Sequence, residues 1–205
     1  MTESGTASAQ LARAHQALYR LGARVLAGTF DTAAAAAVAD YVRTHILPLH
    51  PDPAVRRAWR AAVEHLDGAA DPETEAFLRA VPMDERSWRP EAHERLGELR
   101  RWFRELGGVS PHPEPDHLSS ELELASLLAG AEADAWQSGA EREAVGWRSH
   151  RLVLLEDHLL SWLPDLARLV GRPPTPAAVR ATVDAALATA RFDAHWLAAA
   201  GEEEP

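Results

Sequence analysis

Within four residues, Glu114-Pro115-Asp116-His117 sets out two carboxylates and an imidazole, and Leu118 opens an apolar run behind them. Carboxylates grip guanidinium groups through paired hydrogen bonds, imidazole exchanges a proton near neutrality, and both ligate metals. Pro111, Pro113 and Pro115 forbid helix here, so these groups sit on a stiff corner. Gly107-Gly108 can close a helix before the corner, and Asp116 is placed to cap one after it. Leu118, Leu122 and Leu128, with Ala125 between, share one helical face. The corner reads as a surface for cationic groups or, more plainly, as a rigid and well-capped connector.

A second polar pair, Asp157-His158, lies on a stripe where Leu152, Leu155, Leu159 and Trp162 recur at helical steps. A lone histidine among leucines is more often a packed structural residue than a ligand. Ten histidines still raise the question of a metal. A di-iron bundle needs Glu-x-x-His on each of two helices. Glu114 and His117 have that spacing once, across prolines that exclude the helix, and no second copy follows. His-Glu-x-x-His and cysteine are both absent, so neither a metal nor a cofactor is expected. All 21 basic residues are Arg, which rules out a phosphate loop ending in Gly-Lys. Gly-x-Gly-x-x-Gly and Gly-x-Ser-x-Gly are also missing, and no catalytic set assembles.

The elements that must position these residues read as helices. Residues 1–8 are expected to be disordered, and 9–200 to form one helical domain before an acidic tail at 201–205. The apolar spacing predicts helices over 8–27, 31–45, 53–66, 71–80, 90–106 and 117–136. A long helix begins near Ala140 and is bent or ended by Pro164, and a last one covers 176–199. Residues 81–88 and 171–176 read as loops. No alternating β-branched run or hairpin signal occurs, so the fold class is all-α, a single-domain helical bundle.

The net charge of −10 argues against nucleic acid and suits a cationic partner. No apolar run reaches membrane-spanning length and no signal pattern opens the chain, so a cytoplasmic protein without membrane insertion is expected.

The corner, with Glu121-Leu122 after it, resembles the Pro-Asp-His-Leu turn of the TorD/DmsD/NarJ-type chaperones. Asp157-His158-Leu159-Leu160-Ser161-Trp162 resembles their later His-Leu and Trp helix. The resemblance spans roughly residues 75–170 and implies a TorD-like bundle without enzymatic activity. It implies as partner the immature catalytic subunit of a molybdopterin oxidoreductase of the DMSO reductase family, or its twin-arginine signal peptide. The chaperone would assist cofactor insertion and delay export. On this basis Glu114, Pro115, Asp116, His117, Leu118, Trp88, Asp157, His158 and Trp162 are the expected client-binding residues. A monomer is expected, with a segment-swapped dimer as the variant the proline-rich connectors permit. Other readings are a metal-binding bundle like hemerythrin or ferritin, an enzyme, or a regulatory scaffold.

Overall fold

A computed structural model describes residues 3–202. α1 (Glu3–Leu26) takes in residues 3–8, which were expected to be disordered; residues 1 and 2 lie outside the described part. Packing begins close to this end of the helix, where Ala9 is buried with Ala135, Trp136 and Ala144. Of the acidic tail, Gly201 and Glu202 continue the last helix, and residues 203–205 lie outside the described part.

The alanine run does not make one helix. Asp31 accepts from the Ala33 N–H at 2.9 Å and starts a 3-10 turn, Thr32–Ala34. α2 (Ala35–Tyr41) follows, then a π turn over Val42–Ile46 and a 3-10 turn over Leu47–Leu49. Pro48 has no N–H to donate and its ring crowds the preceding turn, which breaks the α pattern. α3 (Pro53–Val63) is capped by Asp52 and opens on Pro53, and α4 (Pro72–Ala80) opens on Pro72. The stretch read as a loop contains one helical turn, α5 (Glu85–Trp88). Residues 90–95 are 3-10, so α6 covers only Leu96–Glu105.

α7 (Leu118–Ser138) ends on Gly139, whose φ of +78° suits glycine. α8 (Glu141–Val153) runs through a π turn, Leu154–Leu159, into α9 (Leu160–Val170). Pro164 therefore lies inside α9 and does not end it. After the expected connector comes α10 (Ala177–Glu202). No strand occurs among the described residues, and the fold is the all-α bundle the sequence predicted. No described helix is long and apolar enough to cross a membrane.

α7 is the central element. It is buried on nearly every side, including Ser119, Ser120, Glu121 and Glu132, as a helix enclosed by others must be. α1 and α8 pack on it, and α10 packs on α1, α3 and α9. One core cluster joins Leu118, Leu122, Leu155, Leu159 and Trp162; another joins Leu18, Ile46, Trp59 and Ala185.

A polar network also crosses the interior. Arg151 of α8 lies 2.9 Å from Glu132 of α7 and 3.2 Å from Asp193 of α10. Asp193 accepts from the Tyr19 hydroxyl at 3.0 Å and lies 3.0 Å from His15 Nδ1. His15 Nε2 is 3.1 Å from His50 Nε2. Burial pushes the Asp193 carboxyl up, but Arg151 and His15 more than offset it and hold it at about 2. Burial, and then His15, lower the His50 imidazole to about 4.

Candidate functional site

The corner is fastened to the rest of the bundle by backbone pairing. Asp84 and His117 form an antiparallel bridge, in which Glu85 N–H donates to the Asp116 carbonyl at 2.9 Å. Leu118 N–H donates to the Met83 carbonyl at 2.7 Å. Ser120 donates to the Glu114 carbonyl at 3.0 Å, and Ser110 donates to the His112 carbonyl at 2.6 Å. The corner therefore belongs to α7 and to the segment before α5 together.

Three carboxylates meet one guanidinium here. Arg86 of α5 lies 2.9 Å from Glu114, 3.2 Å from Asp84 and 3.5 Å from Asp116. Burial works against the Arg86 charge, but the carboxylates outweigh it and its pKa is raised. Asp116 is fully buried and its pKa is raised, by burial first, with Arg86 opposing.

Asp116 does not cap α7, contrary to the expectation. Its carboxylate turns back to α5 and accepts from the Arg86 backbone N–H at 3.3 Å. The cap is His117, whose Nδ1 accepts from Ser119 N–H at 3.2 Å. The His117 ring stacks on His112 at 4.0 Å, and burial, then His112, lower its pKa to about 4.

An Nδ1 that accepts cannot also hold a proton, so the cap is lost on protonation. The unfolded chain takes up this proton below about pH 6.5, and the folded chain only near 4. The stabilisation is therefore complete above pH 6.5 and is lost as pH falls from 6.5 to 4, an effect on the order of 2–3 kcal/mol. Asn at 117 keeps a capping acceptor without the proton. In chemical denaturation at stepped pH, His117→Asn should show a flatter fall over that window than wild type; parallel curves would remove the cap from the account.

The second motif lies inside the bundle. His158 is fully buried and its Nδ1 is 2.9 Å from Glu85 Oε2; Ser161 donates to Glu85 Oε1 at 3.3 Å. Trp162 is also fully buried and donates to Glu121 Oε2 at 3.2 Å. Burial, and then the neighbouring Glu85, raise the Glu121 carboxyl well above its ordinary value. Ligand atoms of Glu85, Glu121 and His158 lie within 4.8 Å of one another, a size that fits a metal ion. A neutral Glu121 relieves the crowding of charge without a cation, leaving Glu85 to face His158. Helical spacing could not reveal this trio, because its members come from α5, α7 and the π turn.

Of the expected residues, Glu114 is half-buried and Trp88 likewise, its Nε1 donating to the Pro82 carbonyl at 3.0 Å. Asp157 is exposed, and Arg95 donates to its carbonyl at 3.0 Å. Pro115, Asp116, His117, Leu118, His158 and Trp162 are buried, and of these His117 lines a cleft beside the corner. The two motifs meet inside the core, where Trp162 donates to Glu121, and α5 joins them again, with Glu85 on His158 and Arg86 on Glu114 and Asp116. Asp84, Glu85 and Arg86 are the residues the sequence reading missed. Three charges in succession between Pro82 and Pro90 were the available signal.

Beside the corner lies an open cleft of about 640 Å³. Its walls are the end of α1 at Leu26, α4 at Leu78 and Arg79, Met83 and Asp84, and His117.

The structure is thus a helical bundle with an open cleft, lined by Glu75, Arg79 and Asp84 among others, against a stiffened corner. Residues 8–168 match the family model described as the nitrate reductase delta subunit. The chain belongs to that family, a TorD-like family of molybdoenzyme assembly chaperones. The match begins far upstream of residue 75, where the motif resemblance starts. No curated protein and no solved structure matches the chain.

Proposed function

We propose that this protein is a cytoplasmic chaperone for the apo catalytic subunit of a molybdopterin oxidoreductase and that it performs no reaction of its own. The cleft receives a segment of that subunit bearing adjacent arginines and an apolar run, as in a twin-arginine leader. The observation that carries the reading is the open cleft rimmed by Asp84 beside a corner holding three carboxylates against one guanidinium. Glu114 is the most accessible carboxylate of the corner, its side chain 40% exposed, and it pairs with the leader's arginines. Leu26, Leu78 and Met83 supply the apolar floor. While the segment is held, cofactor is inserted and export is delayed. The working form is a monomer.

Calorimetry with a peptide of two adjacent arginines followed by leucines tests this. Glu114→Gln should weaken binding about tenfold, the loss of one charged hydrogen bond. Affinity should also fall as salt rises. Equal affinities and a flat salt response would overturn the reading.

A further inference from the structure

We infer that Asp84, Glu114 and Asp116 form a guanidinium-binding site which Arg86 fills as an internal placeholder, to be displaced by an arginine of the bound segment. The inference rests on the proposed client for the source of that arginine, but the site itself is argued from the chain alone.

Charge balance comes first. Three carboxylates face one cation, so the corner keeps an excess of two negative charges with Arg86 in place. Asp116 is fully buried, and its Oδ1 has no hydrogen-bond partner. A buried carboxylate oxygen left unpaired is costly, and a guanidinium carries five N–H donors to supply it. Arg86 meets Asp116 only at 3.5 Å, while its best contact is with Glu114 at 2.9 Å.

The hold on the Arg86 side chain is also light. It is 31% exposed and stands on a helical turn of four residues. Asp84, one of its three partners, also lines the open cleft, so an arriving arginine reaches the corner from there. The corner does not depend on the Arg86 side chain for its shape. The Glu85–Asp116 and Leu118–Met83 backbone bonds and the Arg86 N–H to Asp116 bond all survive any substitution that keeps the main chain. Ser87 holds Asp84 independently at 2.8 Å. Removing the side chain therefore leaves a guanidinium-shaped gap between fixed carboxylates.

The test uses Arg86→Ala in the full chain, with Arg86→Gln read in the same way should the alanine variant fold poorly. Melting temperature is followed in tens of millimolar methylguanidinium chloride, against methylammonium chloride at equal concentration. Methylguanidinium should raise the melting temperature of the variant by several degrees and leave wild type unmoved, and methylammonium should move neither. A response shared by wild type and variant, or absent from both, overturns the site. A second arm measures the diarginine peptide by calorimetry. With its competitor gone, the variant should bind about tenfold tighter than wild type, about one charged pair in free energy. Wild-type binding with equal or weaker binding by the variant overturns displacement and leaves the client reading intact. Methylguanidinium rescue without peptide binding by either protein upholds the guanidinium site and removes the diarginine segment as its ligand.

Discussion

Arg151→Met should cost roughly 3–5 kcal/mol of stability, as removal of one member of a buried ion network does. Arg151 is 1% exposed and lies between Glu132 and Asp193, which come from different helices. Methionine fills much of the volume, so the loss measures stranded charge rather than a cavity. Glu132 keeps the hydrogen bonds from Arg148 and Trp136, and Asp193 keeps Tyr19, which sets the upper bound. A melting point lower by roughly 6–20 °C should follow in a domain of this size, at about 2–4 °C per kcal/mol. The acid limb should move as well. A carboxylate held at about 2 contributes stability that is complete above its unfolded value near 4 and is lost as pH falls toward 2. Without Arg151 the folded-state value rises toward the unfolded one, so the loss between about pH 4 and 2 becomes smaller and the less stable protein reaches its acid midpoint at higher pH. An unchanged melting point together with an unchanged acid midpoint would show that the network is incidental to stability.

The second large effect is expected at Glu85. Glu85→Ala leaves His158 Nδ1 without its partner inside the core, leaves Ser161 only the His158 carbonyl to donate to, and removes the tie between α5 and the π turn. The cost should be about 2–4 kcal/mol, reduced somewhat because a charge beside Glu121 also disappears. Glu85→Gln should lose about half as much, since its single carbonyl oxygen still accepts one of the two hydrogen bonds. Because Glu85 is second only to burial in raising Glu121, the Glu121 carboxyl should titrate closer to its ordinary range in Glu85→Ala. Denaturation with carboxyl-carbon NMR reads both quantities. A Glu121 titration identical to wild type would break the link between the two residues.

These two sites show which parts of the molecule were legible in advance. Helix identity was legible because it follows from period and breakers: Pro53 and Pro72 open α3 and α4, and Leu96, Leu99 and Trp102 face inward from α6. Boundaries were less so. The alanine run satisfies every local requirement for helix, yet Pro48 at its far end imposes a π and a 3-10 turn. The start of α1 has no strong local signal, and the helix there runs on ahead of Ala9, which packs beside Trp136. The cap of α7 was misassigned by one residue. Asp116 and His117 can both accept a hydrogen bond, and only the pairing with residues 83–86 turns Asp116 away.

The amino-acid order by itself determined that this chain is an all-helical bundle, that it carries a proline-stiffened acidic corner, and that its motifs resemble those of molybdoenzyme chaperones. Periodicity, proline and charge are properties of neighbouring residues, so they can be read along the chain. Only the tertiary structure decided that α5 ties the corner to His158, that Arg86 already occupies the acidic residues, and that Trp162 is a buried hydrogen-bond donor. Those contacts join residues 28 to 73 positions apart, and burial fixes which charged groups must find each other.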